Sequence, residues 1–373
     1  MNQNRRLGSS RDSPAGKARR LTCPPVCHML PRHVAARRGG TRTTMTPRTS
    51  NGVKLALRLA FGGALVAAIL WKVPLAAMAG ALCAARWPGV AVSCLLLLAA
   101  QYAGAWRFHL LTRRLGFGFS AFDLFRLNAA VSFYRLGLPG GVGGSLMRWY
   151  KLARDEGRLT DALNVMLYDR LAHALGALGL GLALLLADSL RQPHPARWAA
   201  AGVIAAAAAS QIGLRLALFG GRWSAGAVAR LGPLLGPVWR QRFARAVQRA
   251  DELGRLPPAL AAGVWAWSLA AALLNAASFF ALGEAVGLGV GFMTLGWARA
   301  VVFALNLLPI TVAGLGVREG ALLLLLQPCG VASSRALAFS LLSFLTTLVV
   351  AAAGAVFELH GALSGARRAT RAA

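Results

Sequence analysis

Charged residues are scarce in this chain of 373 residues, and acidic residues are the scarcest, with 12 Asp and Glu against 41 Lys and Arg. Only 14% of the residues are charged, whereas a soluble domain has about 25%. This shortage excludes a soluble globular enzyme. A net charge of +29 would indicate nucleic acid in a soluble protein. In an apolar chain, arginines beside membrane spans are the better explanation, so we expect no nucleic-acid partner.

Motifs for common chemistry are also missing. The five cysteines form no even framework, so the sequence indicates neither a disulfide scaffold nor a zinc site. It contains no Walker loop, no G-x-S-x-G, no H-E-x-x-H and no paired carboxylates at useful spacing. We therefore expect no enzymatic activity, no metal and no cofactor.

Two basic tails flank the apolar part of the chain. Residues 1–52 combine many arginines with scattered Pro, Gly and Ser and have no apolar periodicity, which predicts disorder. One hypothesis is that translation starts at Met45, just before the first span. The second tail, residues 361–373, carries three arginines.

Apolar sequence is abundant, with 57% hydrophobic residues and a mean hydropathy of +0.55. A membrane span needs about 20 mainly apolar residues. This criterion predicts an all-α polytopic membrane domain over residues 53–360. The predicted full spans lie at about 55–71, 90–111, 162–187, 198–219, 259–282 and 336–357.

Two further apolar regions are interrupted. LPGGVGG at 138–144 breaks the region 121–157, and LPITVAGLG at 308–316 breaks the region 297–328. Such breaks at membrane depth are tolerated only inside protein or facing a water-filled cavity. The distribution of arginines predicts that each region enters and leaves the membrane on one side, either as a re-entrant dip or as a hairpin that crosses twice.

The distribution of arginines predicts the orientation. The loop 220–257 is rich in arginine and, with both termini, is expected in the cytoplasm. Within it, Val238–Leu253 has apolar residues at helical spacing opposite arginines. This pattern predicts an amphipathic interfacial helix, with a solvated connector as the alternative.

The two breaks resemble each other. Arg148 follows Pro139 by nine residues, and Arg318 follows Pro309 by nine residues, so the offset between them is 170 residues. With the order of spans, this offset predicts an inverted repeat with halves at about 53–190 and 198–360. Inverted repeats with broken helices are typical of transporters.

Backbone N–H groups freed by a glycine-rich break, together with an arginine, can bind a phosphate. The alternative is that the glycines only permit close helix packing. Pro139 and Pro309 are predicted to form the breaks. The candidate headgroup-binding residues are Gly140, Gly141, Gly143, Gly144, Arg148, Gly314, Gly316 and Arg318.

Ionisable residues inside spans form a second group of candidates, because charge is costly in a membrane. Asp169, Arg170, His173 and Glu319 are predicted to form an intramembrane charge network, in which Asp169 pairs with Arg148 or Arg135. A structural ion pair is the alternative. Three arginines near span ends are expected to snorkel to the interface. These are Arg58, Arg107 and Arg126.

The segments Phe133–Leu171 and Asn306–Leu322 resemble the transmembrane region of lysylphosphatidylglycerol synthases and the related flippase-like membrane proteins. The resemblance covers about 55–360. It implies a multi-pass inner-membrane protein that moves a phosphate-bearing or aminoacylated lipid between leaflets. Ser145 departs from the family pattern, where an acidic residue is common, and no soluble synthase domain is expected. The alternative is a scaffold that docks a cytoplasmic lipid-modifying enzyme. The oligomeric state stays open.

Overall fold

The computed structural model describes residues 80, 83–137, 148–153, 158–191, 195–220, 226, 237–307 and 316–372. Several predictions fall outside these residues. They are the N-terminal tail, the first span at 55–71, the partner Arg135, whose side chain is not described, and the break residues Pro139, Gly140, Gly141, Gly143, Gly144, Pro309 and Gly314.

The described residues form nine α-helices, with a further helical segment at 148–153, and no strand. The helices are α1 (Trp87–Arg114), α2 (Ala121–Gly137), α3 (Leu159–Ser189), α4 (Arg197–Phe219), α5 (Pro237–Gly254), α6 (Pro258–Val286), α7 (Phe292–Asn306), α8 (Val317–Leu326) and α9 (Ser333–Ala372). A 3₁₀ turn, Gln327–Cys329, joins α8 to α9.

Five helices are long and apolar enough to cross a membrane. They are α1, α3, α4, α6 and the segment Ser333–Gly354 of α9. The chain is therefore an all-α polytopic membrane protein, and five of the six predicted spans are confirmed.

Helix boundaries follow local chemistry, as α6 illustrates. Proline begins it at Pro258, where the missing N–H costs nothing, and Gly287 ends it with φ +71°. Between them most residues are alanines, leucines and other apolar residues, and the polar residues are Ser268, Asn275, Ser278 and Glu284.

Apolar clusters show which helix ends meet at the same side of the bundle. Leu115 after α1, Phe219 at the end of α4 and Leu253 at the end of α5 belong to one buried cluster. We call this side the basic face, because α5 and its arginines lie there. A second cluster joins Ala85 before α1, Leu288 after α6 and Val331 before α9. It marks the opposite face.

The first broken region enters and leaves at the basic face. Leu124 near the start of α2 and Leu152 in the helical segment 148–153 are both buried in the basic-face cluster. Trp149 donates its indole N–H to the carbonyl of Leu159 at 2.9 Å. The 17 residues of α2 rise about 25 Å, which is less than the roughly 30 Å of the hydrocarbon core. This geometry favours the re-entrant dip.

The second broken region does the same at the opposite face. Leu295 near the start of α7 and Leu326 at the end of α8 share the opposite-face cluster. The two arms therefore return to the face from which they enter.

Helix contacts confirm the inverted repeat. Helices α1 and α6 run antiparallel, because Ser93 bonds to Ser278 at 2.9 Å while Trp106 stacks on Trp267 further along. The dip helix α2 packs on α9 of the second half, and α7 packs on α3 of the first half. Exchanging each helix for its counterpart, α1 for α6, α2 for α7 and α3 for α9, reproduces these contacts.

The basic loop contains the predicted helix. Helix α5 buries Ala250 and Leu253 against the bundle, while Arg245 is exposed. Arg249 bonds to Glu252 at 2.8 Å and lies 4.0 Å from Asp161 on α3. The helix is therefore attached to the bundle by one face and leaves Arg245 and Arg249 exposed, as an interfacial helix does.

Candidate functional site

The first charge cluster forms around one carboxylate on α3. Asp169 accepts a hydrogen bond from Nε of Arg107 at 2.8 Å on Oδ1 and one from Nη2 of Arg148 at 3.1 Å on Oδ2. Asp169 is 3% exposed and Arg107 is 4% exposed. The predicted pairing of Asp169 with Arg148 is therefore present in the structure.

This cluster carries more positive than negative charge. Two guanidinium groups share one carboxylate, and Arg148 also stacks over the ring of Phe108 at 3.8 Å. Nη1 of Arg107 and Nε of Arg148 are buried and have no hydrogen-bond partner among the described residues. Because a buried unpaired donor is costly, the cluster is suited to binding an anion.

Arg107 corrects the sequence prediction. It does not snorkel. It lies seven residues before the end of α1, about 10 Å along the helix, and turns inward to Asp169. Its distance from the helix end is the feature of the sequence that indicates this inward position, and the prediction gave that distance too little weight. Arg126, near the start of α2, is partly exposed and lies 5.9 Å from the ring of Phe357.

The second cluster forms at the start of α8. Arg318 donates from Nη2 to Oε1 of Glu319 at 2.7 Å and from Nε to the hydroxyl of Ser340 at 3.0 Å. Ser340 donates in turn to Glu319 at 2.9 Å. Arg318 and Glu319 are both buried. Their charges balance, and Arg318 is held in one position.

Gly316 is placed by the same glutamate. Its φ of +85° is a conformation that favours glycine, and its backbone N–H donates to Oε2 of Glu319 at 2.6 Å. This bond satisfies an N-terminal donor of α8. The N–H that was predicted to face a headgroup is therefore already occupied.

A cavity of about 40 Å³ lies between α3, α6 and α7. His173, Asn275 and Arg299 are its polar residues, and alanines, glycines and apolar side chains line the rest. The ring of His173 meets Phe303 edge to face at 5.5 Å. Arg299 was not among the predicted site residues.

A second, smaller cavity lies next to the first, between α1, α6, α7 and α9. Asn275 and Arg299 line both cavities. The second cavity is rich in hydroxyl groups, from Ser93, Ser278, Ser343, Thr346 and Thr347.

The structure does not bring Arg170 into a charge cluster. Its side chain is exposed on α3, one residue beyond the buried Asp169. Within the described ranges, no three His, Cys, Asp or Glu side chains lie close enough together to hold a metal ion.

The fold and these clusters define a multi-pass membrane protein with two broken helical elements and buried arginines. Residues 55–354 match the family described as the lysylphosphatidylglycerol synthase TM region, and the chain belongs to that family. No curated protein matches the chain. Family membership supports a lipid-related function in the membrane, and with it interaction with lipids.

Proposed function

We propose that this protein moves an anionic phospholipid between the leaflets of the inner membrane, and that it catalyses no chemical reaction itself. The observation that carries the proposal is the cluster of Arg107, Arg148 and Asp169. It places one excess positive charge inside the bundle, together with two donors that have no partner in the described part of the chain. Arg148 follows the first break by four residues in the sequence. A phosphate supplies the missing charge and accepts both hydrogen bonds.

The inverted repeat supports transport rather than simple binding. Two halves related by an in-plane axis can expose one site alternately to each side. The two dips enter from opposite faces, so each leaflet has an equivalent route towards the bundle centre. The arginines of α5 support an orientation in which the basic face and both termini lie in the cytoplasm.

Lipid movement in vesicles tests the proposal. The purified full chain is reconstituted in phosphatidylcholine vesicles containing phosphatidylglycerol labelled on an acyl chain, so that the headgroup stays intact. Loss of fluorescence on adding an impermeant reductant measures arrival in the outer leaflet. We expect protein-dependent movement of phosphatidylglycerol that exceeds that of equally labelled phosphatidylcholine.

The decisive variant is Arg148→Gln. Asp169 keeps its 2.8 Å bond to Arg107 in this variant, so the fold should persist while one phosphate donor is lost. The control is Arg255→Gln, an exposed arginine on the basic face. We expect Arg148→Gln to abolish movement and Arg255→Gln to leave it unchanged. Transport by the Arg148 variant at the wild-type rate would contradict the role of Arg148. No movement by the wild type would contradict transport and favour the scaffold.

A further inference from the structure

Arg299 lies on α7, seven residues after the start of that helix and about 10 Å along it. Nη2 of Arg299 lies 3.4 Å from Oδ1 of Asn275, and its guanidinium lies 5.5 Å from the ring of Phe279. No carboxylate forms a salt bridge with Arg299 in the part of the chain that the structure describes.

The neighbouring charge increases this imbalance. Arg318 is close enough to repel Arg299, and Glu319 is already bound to Arg318 at 2.7 Å. The second half therefore repeats the charge composition of the first, with two guanidinium groups and one carboxylate. In this half the carboxylate of Glu319 pairs with Arg318, and Arg299 carries the excess positive charge.

Arg299 also has space beside it. It lines both cavities, and the amide of Asn275 and the ring of His173 face the larger one. A cavity needs a volume of about 10 to 15 Å³, measured in the same way, to hold one water molecule. The larger cavity, at about 40 Å³, has room for a few waters or for a group as small as a phosphate.

We propose that the cavity of Arg299, Asn275 and His173 is a second binding site for the phosphate of an anionic headgroup, and that Arg318 has a structural role. The assignment of this cavity to the path of a transported lipid rests on the proposed transport function. His173 follows Asp169 by four residues on α3, so one helical turn of about 6 Å separates the two sites along that helix. The first site serves the basic-face side of the bundle, and the second serves the opposite side.

Two variants test this site by different routes. Arg299→Gln removes the charge, and Asn275→Asp supplies a carboxylate to Arg299 with almost no change in volume. Because a hydrogen bond to a charged group is strong, we expect each variant to slow phosphatidylglycerol movement about ten-fold. Arg335→Gln, an exposed arginine that bonds to the carbonyl of Gly287, is the control and should move lipid at the wild-type rate.

A binding measurement separates failure of this site from failure of the transport proposal. A ligand that binds only the folded protein raises its thermal stability. The full chain in neutral-lipid nanodiscs is titrated with phosphatidylglycerol in one arm and inorganic phosphate in the other. Both titrations use the Arg148→Gln variant. Because this variant lacks a phosphate donor of the first site, the titrations test the Arg299 site. We expect stabilisation in that background, and its loss when Arg299→Gln is added.

The two arms identify the source of the phosphate. Stabilisation by inorganic phosphate that depends on Arg299 assigns the site to the phosphate group itself, whereas stabilisation by phosphatidylglycerol alone assigns it to the lipid. Unchanged lipid movement in both variants, or stabilisation that does not depend on Arg299, overturns the second site. If the wild type moves no lipid, transport fails, and the binding arms alone decide the site.

Discussion

Arg107 and Asp169 join α1 to α3 through a buried hydrogen bond of 2.8 Å between Nε and Oδ1. The other carboxylate oxygen holds Arg148, which follows the first break. One acidic side chain therefore fixes two transmembrane helices and one arm of a re-entrant dip. This arrangement makes Asp169 the residue on which both the stability and the charge of the first half depend.

Asp169→Asn is expected to destabilise the protein strongly. It leaves two buried guanidinium groups without a counter-charge, and breaking a buried pair in this way costs roughly 3 to 5 kcal/mol. The thermal unfolding midpoint of the purified protein in lipid nanodiscs measures the effect. Asp251→Asn on α5 removes a carboxylate from a largely exposed pair with Arg255 and should change the midpoint little. Equal midpoints for the two variants would contradict the structural importance of Asp169.

Glu319→Gln and Ser340→Ala should separate charge from hydrogen bonding in the second cluster. The glutamine leaves the buried Arg318 unbalanced and should cost roughly 3 to 5 kcal/mol. The alanine removes one neutral partner and should cost about 1 kcal/mol. The unfolding midpoints of the two variants under the same conditions show which substitution destabilises the protein more. A larger loss for Ser340→Ala would show that the hydroxyl, and not the carboxylate, holds Arg318.

Gly354→Ala should destabilise the contact between α9 and α2. Gly354 is buried, and a Cβ atom there would collide with the carbonyl oxygen of Ala129. Overpacking of this kind costs roughly 1 to 3 kcal/mol. Gly213→Ala on α4 is the matched control, because its Cβ would meet open space and alanine favours the helix by up to about 1 kcal/mol. The two substitutions should therefore shift the unfolding midpoint in opposite directions.

Cysteine labelling should place Cys329 and α5 on different sides of the membrane. A variant with Cys329 as its only cysteine should react with an impermeant maleimide from the outer side. A second variant, with Gln248→Cys as its only cysteine, should react from the cytoplasmic side. Both positions are exposed, on the opposite and basic faces respectively. Labelling of both from one side would contradict the re-entrant arrangement of α7 and α8.

The labelling of Cys329 should also depend on pH. Although the residue is exposed overall, partial burial of the thiol, and secondly the negative charge of Asp188, raises the pKa of Cys329 above its ordinary value. The thiolate is the reactive form, so the reaction should be slow at neutral pH. The labelling rate of Cys329 should rise throughout the range from about pH 7 to about pH 9. The labelling rate of an ordinary thiol begins to level off within this range. A rate that levels off well below pH 9 would contradict the raised pKa.

Much of the fold could be predicted from the sequence, because membrane spans have a simple physical signature. Five described spans lie where apolar length placed them, and the 170-residue offset between Arg148 and Arg318 indicated the inverted repeat. Periodicity could not show how the ends of α2 and of segment 148–153 meet. That depends on packing in the basic-face cluster.

The candidate site was less predictable, because partner choice is a tertiary property. Arg148 and Arg318 occupy matching positions, yet Arg148 pairs with α3 while Arg318 pairs with its own neighbour. No sequence pattern separates these outcomes. Arg107 and Arg299 were undervalued for the same reason, since their roles depend on which helix faces them.

The packing of α2 on α9 has a consequence for the making of the protein. Helix α2 is among the first described elements to leave the ribosome, and α9 is the last. The face of α2 that contacts α9 must stay unburied, or be covered temporarily by lipid or a chaperone, until synthesis is almost complete. Folding of the first half therefore finishes only when the end of the second half is inserted, and a chain truncated before Ser333 leaves that face of α2 without its partner helix.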